Sequence, residues 1–293
     1  MKFSLIVATR GRVSELDALF TSLVAQGRDD FEVIVVDQNG DDRLAAVIGS
    51  HGQRFPLLWR RSDVLNANHA RNLGLGLARG NVVGFPDDDC ILPGGVLNAV
   101  DAAFGHDPQL QILTGPAASP AGGLGSGRWR PEAGPITEEN VWTSVIEFNL
   151  FIRRAAALAL GGFDERLGPG TPLGSAEGND LVLRGIHAGH LAQYDPALQI
   201  IHPDKRLTPE ATHRAELYGR GLGFVLRRHG VRPAVWLPFL IRPLGGMVVS
   251  ALLLRWLALA YYWRTLRGRL AGFRHDEATQ PARLAPVQSV HPL

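Results

Sequence analysis

Cysteine is all but absent from this chain of 293 residues, where Cys90 stands alone. No internal disulfide can form, and a cysteine-built zinc site lacks its ligands. Cys90 reads as a small buried hydrophobe. No apolar run of signal-peptide length opens the chain, because Thr9-Arg10-Gly11-Arg12 cuts off the stretch from Met1 to Ala8. That stretch is expected to be a first strand, in a protein facing the cytosol. Acidic residues are scarce in the last third, where only Glu210 and Glu216 oppose a series of arginines between Lys205 and Arg274. No internal repeat is present. A Gly-x-Gly-x-x-Gly straight after a strand is missing too, since Gly74-Leu75-Gly76 falls within a helical pattern. That absence excludes a dinucleotide-binding dehydrogenase. Strand one is followed by neither the glycine-rich signature nor the lysine that a sugar nucleotidyltransferase needs.

What is present can build a sizeable core, with 45% hydrophobic and 20% charged residues. The first hundred residues alternate between strand and helix patterns. Strands are expected over Phe3–Ala8, Phe31–Val36, Leu57–Arg60 and Val82–Phe85. Helices are expected from Ser14 to about Gly27, over Asp41–Ile48, Ala67–Ala78 and Gly94–Phe104. Such alternation implies an α/β fold with a mainly parallel sheet. The segment Gly115–Pro135 is rich in glycine and proline and reads as a long loop in which Trp129 packs on the core. Strands are expected at Phe148–Ile152 and Gln199–Ile201, and helices over Arg154–Leu160, Glu177–Ala188 and Ala211–His229.

From Pro243 to Trp263 the chain is apolar apart from Arg255. Its length could span a bilayer, but a central arginine costs about 2.5–3.5 kcal/mol on insertion scales. An interfacial or re-entrant helical pair fits better, with arginines at the headgroups and Trp256, Tyr261, Tyr262 and Trp263 at the boundary. The other reading is a helical layer packed on the soluble domain. The basic, apolar character points to an anionic membrane rather than nucleic acid as partner. The expected division is 1–210, 211–273 for the basic helical segment, and 274–293 as a disordered tail.

Four polar sites fall at the ends of expected strands: Thr9-Arg10-Gly11-Arg12, Asp37-Gln38-Asn39-Gly40, Asp87-Asp88-Asp89 and His202. The aspartate triplet matters most. Carboxylates at the carboxyl end of a buried strand lie where open α/β sheets bind ligands. A hard divalent cation carrying a phosphorylated substrate would relieve the repulsion among them. By itself an aspartate triplet reads as a solvated acidic turn. His187 and His190 lack the i,i+4 spacing of a zinc motif and read as solvated or capping residues.

The order of these segments resembles the family 2 inverting glycosyltransferases. The matching pieces are Leu5–Arg12, Glu32–Asp37, Ala70–Gly74, Gly80–Asp89, Gly161-Gly162-Phe163-Asp164-Glu165 and Glu177–Arg184, covering roughly residues 1 to 205. The resemblance implies a GT-A fold, a Rossmann-like mixed sheet flanked by helices, here with a C-terminal helical extension. It implies that Asp37 contacts the nucleotide base, with Thr9, Arg10 and Arg12 in the same pocket. Asp87 and Asp89 would hold Mg²⁺ or Mn²⁺ at the diphosphate, with His202 completing the shell and Asp88 nearer the ribose or sugar. Arg71 either adds charge at the diphosphate or is a solvated helix residue. The catalytic base would be Glu177, with Asp180 as second choice; Asp180 could instead simply pair with Arg184. The family's second acid in this motif is replaced by Gly178.

The implied function is metal-dependent transfer from a nucleotide-sugar donor to a polysaccharide or lipid-linked acceptor at the inner membrane face. The alternatives are a catalytically weakened, membrane-associated nucleotide-sugar-binding relative, for which Gly178 is the best support, and a sugar nucleotidyltransferase.

Overall fold

The computed structural model describes residues 1–275. The expected tail therefore lies outside the described residues from 276 onward. The order of elements is β1 (Phe3–Thr9), α1 (Ser14–Val24), β2 (Phe31–Asp37), α2 (Ala45–His51), β3 (Leu57–Arg61), α3 (Ala67–Leu77), β4 (Val82–Gly84) and α4 (Val96–His106). There follow β5 (Leu110–Thr114), β6 (Ala117–Ala118), β7 (Gly134–Pro135), β8 (Leu150–Arg153), α5 (Arg154–Ala159), α6 (Glu177–His187), β9 (Leu191–Tyr194) and β10 (Ile200–Ile201). Three helices close the described chain: α7 (Pro209–Arg228), α8 (Pro233–Leu252) and α9 (Trp256–Phe273).

Eight strands form one mixed sheet in the order β3-β2-β1-β4-β8-β5-β9-β7. The first four run parallel, and β8 is antiparallel to both of its neighbours. The alternation of side chains across a strand explains why both faces are covered. Phe3, Leu5 and Val7 of β1, with Phe31, Val33 and Val35 of β2, pack against Leu16, Leu19, Phe20 and Leu23 of α1 and the apolar face of α4. Ile6, Ile34 and Val36 point the other way, into a second core with Ala70, Leu75, Ala157, Leu181 and Phe224. The chain leaves β1 toward β2 on one side and finds β4 on the other. The crevice at the carboxyl ends of β1 and β4 is therefore a topological switch point.

Several expectations about elements need correction. Helix α2 begins at Ala45 rather than Asp41, because Asp41 and Asp42 are engaged with Arg43 and Arg61. Strands β5 and β9, which the apolar pattern did not mark, pair in parallel beside β8. The loop expected over Gly115–Pro135 carries β6 and β7 at its ends. There β6 pairs with β10 in a two-stranded sheet of its own. Trp129 packs against both cores as expected.

Phe224 and Val225 of α7 are core residues, and Gly221 lies so close to Ser175 that a Cβ would sit 2.3 Å from its carbonyl oxygen. Small residues let α7 and α9 meet backbone to backbone: a Cβ on Gly223 would sit 2.1 Å from the Arg269 carbonyl oxygen, and one on Gly272 2.0 Å from that of Arg220. Helices α8 and α9 form a hairpin that breaks at Leu253–Arg255, with Leu254 in the left-handed region at φ 53°. The apolar stretch thus folds into a helical pair rather than one continuous rod.

Candidate active site

The sheet delivers the first three polar segments to one edge. Thr9 ends β1 and lies opposite Asp37, the last residue of β2. Asp37 is fully buried. Its Oδ1 accepts from the Asn39 backbone N–H at 2.8 Å and from Asn39 Nδ2 at 2.7 Å, and its Oδ2 accepts from Trp59 Nε1 at 3.0 Å. Asn39 Oδ1 in turn accepts from the Gly11 N–H at 2.7 Å. Asp37 therefore builds the turn that ties the β2 loop to the β1 loop. Thr9 is buried beneath this turn, while Arg10 is exposed. Trp59 was not marked as part of the site by the sequence, and Asn39 entered only as a member of the segment after β2.

The aspartate triplet is divided among three cationic or basic groups. Arg12 Nη1 lies 2.7 Å from Asp88 Oδ1 and 2.6 Å from Asp89 Oδ2. Arg71 Nη2 lies 2.8 Å from Asp87 Oδ1. His202 Nε2 lies 3.4 Å from Asp89 Oδ1 and 3.9 Å from Asp87 Oδ2. A bridge between Ile91 and Ile201 brings the two loops together. The Phe148 ring stacks on His202 at 4.5 Å and 5°. The Nδ1 of His202 is 2.8 Å from the Pro203 carbonyl oxygen, an acceptor, so that nitrogen carries the proton. The other ring nitrogen, Nε2, faces the carboxylates, as it does in metal-binding histidines.

The donor set fits a divalent cation. Asp87, Asp89 and His202 each offer one ligand atom, all within 4.8 Å of one another. Asp89 Oδ1 is buried and has no hydrogen-bond partner among the described residues, a state that normally calls for an explanation. Burial pushes the Asp89 carboxyl upward, against the pull of His202 and Arg12. It pushes Asp88 upward as well, against Thr9 and Arg12. Two carboxylates and an imidazole suit Mn²⁺ better than Mg²⁺.

Behind this cluster lies a second group of charges. Arg71 is buried rather than solvated, which removes one of the two readings open from sequence. Its Nη1 donates to Asn68 Oδ1 at 2.9 Å and lies 3.5 Å from Glu177 Oε1, and its guanidinium faces the Phe163 ring at 5.4 Å. Glu177 opens α6 and is 2% exposed. Ala176 before it is held at φ 70°, a left-handed strain of the kind that gathers at functional sites. Gly168, at φ 89°, leaves the carboxylate its room: a Cβ there would sit 3.1 Å from Glu177 Oε1. Burial, reinforced by the nearby Glu147 and opposed by Arg71, raises the Glu177 carboxyl to about 8.

Asp180 is placed elsewhere. Its carboxylate meets Arg184 Nε at 2.8 Å, His229 Nε2 at 2.9 Å and Arg228 Nη1 at 3.2 Å. Despite burial, these partners hold its carboxyl below the usual range. Arg228 also reaches Asp164 at 2.6 Å, so Asp180 anchors α7 to α6. His187 sits at the surface against Glu138, as expected of a solvated residue.

Two of the sequence motifs are physically joined. Asn72 of α3 donates from Nδ2 to the Phe163 carbonyl at 2.9 Å and accepts from the Phe163 N–H at 2.8 Å. Asn66 caps α3 by accepting from the N–H groups of Asn68 and His69. The Gly162-Phe163-Asp164 loop is thus clamped to the helix that carries Arg71.

With this geometry in place, the family can be stated. The model of glycosyl transferase family 2 matches residues 4–152, and the chain belongs to that family. It is a glycosyltransferase of GT-A fold. An uncharacterized glycosyltransferase of Haemophilus influenzae is 35% identical over 92 residues, covering 31% of this chain and 30% of that relative. The chain therefore matches under a third of that curated relative's length. Among solved structures, residues 1–349 of S. aureus TarS match at TM-score 0.61 and 17% identity, covering 94% of this chain and 93% of that one. The same TarS fragment in complex with UDP-GlcNAc matches at 0.61 and 16%, covering 91% and 90%. The mannosyltransferase PcManGT of Pyrobaculum calidifontis, in complex with GDP-Man and Mn²⁺, matches at 0.63 and 16%, covering 93% and 86%.

Proposed function

We propose that this enzyme catalyses metal-dependent, inverting transfer of a sugar from a nucleoside-diphosphate donor to a glycan or lipid-linked acceptor. The observation that carries the reading is the cluster of Asp87, Asp89 and His202 at the switch point, with Asp89 Oδ1 unpartnered and Arg71 linking the cluster to Glu177. TarS bound to UDP-GlcNAc and PcManGT bound to GDP-Man and Mn²⁺ support the donor class and the metal.

In this reading Asp37, Thr9, Arg10 and Arg12 form the nucleoside end, with Asp37 setting the turn against which the base rests. Asp88, held by Arg12, faces the ribose or sugar. Asp87, Asp89 and His202 hold the cation. When bound, the cation offsets the charge that builds on the departing diphosphate. Arg71 adds a buried positive charge on the same side. Inversion requires the acceptor hydroxyl to attack the anomeric carbon opposite the leaving group. The new O–C bond forms as the old C–O bond gives its electron pair to the diphosphate, and the hydroxyl proton passes to a carboxylate. Glu177, with its raised proton affinity, is suited to that base role near neutral pH.

The α8–α9 hairpin is proposed to rest on an anionic membrane at the cytoplasmic face. Pro233–Leu252 has a mean hydropathy of 1.6 over its most apolar window. Leu244, Val248, Leu252, Leu254 and Trp256 are exposed, and Arg242, Arg255 and Arg264 lie on the same hairpin. Exposed apolar residues and arginines on one hairpin suit shallow insertion.

The test is release of nucleoside diphosphate from UDP- and GDP-sugars with Mn²⁺, Mg²⁺ or EDTA, with the product anomer read by NMR. Asp89→Ala is expected to lose at least about 100-fold in turnover, on the scale of lost electrostatic stabilisation. Equal turnover by Asp89→Ala and wild type, or a retained anomer, would overturn the mechanism.

A further inference from the structure

The family's pair of acids at the start of α6 is incomplete here, with Gly178 following Glu177. The space where a side chain at 178 would stand is narrow. A Cβ on Gly178 would lie 3.3 Å from both N and Cα of Glu147 and 3.4 Å from its Cβ. Glu147 opens a short 3-10 turn, Glu147–Asn149, just before β8. That turn is firmly seated. Asn149 Nδ2 donates to the Leu198 carbonyl at 2.6 Å and to the Pro116 carbonyl at 3.0 Å. Phe148 is buried against His202. The backbone of residue 147 thus packs tightly beside the position that a side chain at 178 would take.

We propose that Glu147 supplies the second carboxylate of the acceptor site, in place of the acid lost at position 178. Three observations converge on this. Its backbone packs on Gly178, next to Glu177. Its charge is felt by Glu177, Arg71 and Tyr218, groups on three different helices that converge on the site. Among the described residues no hydrogen bond or ion pair holds its carboxylate, and the residue is half-buried rather than sealed like Glu177. A carboxylate near these groups that lacks a hydrogen-bond partner is available to a hydroxyl donor. The inference rests on the inverting reading given above. The acceptor hydroxyl donates to Glu147 as it attacks the anomeric carbon. Its proton is taken up by the Glu147–Glu177 pair while the carbon–oxygen bond to the diphosphate breaks. Chemically, the pair comes from two distant segments instead of two consecutive residues. The substitution at 178 would then mark a relocated acid and not a lost activity.

The experiment compares Glu147→Gln, Glu147→Asp and Glu177→Gln with wild type in steady-state transfer, alongside thermal shift by UDP and GDP with Mn²⁺. Glu147→Gln is expected to lower kcat by about 100-fold or more, on the scale of general-base contributions. The donor KM and the nucleotide-induced thermal shift should be unchanged. Glu147→Asp should recover part of the loss. Full turnover in Glu147→Gln, beside an active wild type and a crippled Glu177→Gln, would overturn this inference and leave the inverting reading standing. A fall in kcat matched by loss of nucleotide-induced stabilisation would overturn it as well, because the turn would then act on the donor side. An inactive wild type, or a retained anomer, would sink both together.

Discussion

Replacing Arg71 by methionine tests how the site is held together. The guanidinium is buried and forked: Nη2 serves Asp87 at 2.8 Å, and Nη1 serves Asn68 at 2.9 Å and faces Glu177 at 3.5 Å. Methionine keeps much of the volume and removes the charge, so the loss is electrostatic rather than a cavity. Breaking a buried pair by deleting one partner costs about 3–5 kcal/mol, because the other charge is left uncompensated. Glu177 has an escape, since it can take up a proton. In the wild type its carboxyl titrates at about 8. At pH 6 it is neutral with or without Arg71, and only the pairing with Asp87 is lost. At pH 9 the wild type holds Glu177 charged against Arg71, and the variant must keep it neutral or bear the repulsion. The destabilisation measured by urea denaturation should therefore rise from about 3 kcal/mol at pH 6 toward about 5 kcal/mol at pH 9. Arg71→Lys should recover less than half, because one ammonium cannot span both prongs. A loss below about 1 kcal/mol at both pH values, or one that shrinks as pH rises, would refute the reasoning.

Three further outcomes are expected. Glu177 binds a proton more tightly folded than unfolded, between the ordinary carboxyl value of 4.5 and about 8. Over that window its contribution to stability falls as pH rises, and Glu177→Gln should flatten the slope in denaturation measured from pH 5 to 8. At the α7–α9 contact, Gly223→Ala should lower stability by about 1–3 kcal/mol in thermal or urea unfolding, since its Cβ would meet backbone. Gly245→Ala, where nothing lies within 4 Å, should instead be neutral or gain up to about 1 kcal/mol of helix propensity. Finally, glutamate at Leu252, Leu254 and Trp256 together should abolish sedimentation with vesicles rich in phosphatidylserine while leaving solution turnover intact; unchanged sedimentation would remove the membrane proposal.

The parts of the fold that were legible in the sequence are those whose signals are local. Strands β1 and β2 are apolar but for Ser4 and Glu32 and end in a polar residue, and α1 carries its apolar stripe at helical spacing. The metal-side cluster was legible because Asp87 and Asp89 lie two residues apart and His202 directly follows a short strand. Strands β5 and β9 were missed because Leu110–Thr114 mixes polar and apolar residues, and Leu191–Tyr194 is only half apolar. The burial of Arg71 was not legible either. Its partners Asp87 and Glu177 come from other segments, and only the folded chain brings them within reach. Glu147 left no signal at all, since a lone glutamate before a strand looks like any surface residue. Its significance comes from the glycine at 178 that lets its backbone approach.

The turn Glu147–Asn149 joins two tasks that most descriptions of such a site would keep apart. Phe148 presses on the imidazole beside the aspartate cluster, and Glu147 stands against the start of α6. These are neighbouring residues, with Cα atoms about 3.8 Å apart by covalent geometry. In the proposed reaction, one peptide unit therefore acts as a ruler between the leaving-group end of the site and the attacking end. On that proposal, surrounding loops can lengthen, and the proposed nucleoside pocket at β1 and β2 can be recut for a different base, without changing that interval. The spacing that the proposed in-line displacement requires is then written into the backbone itself.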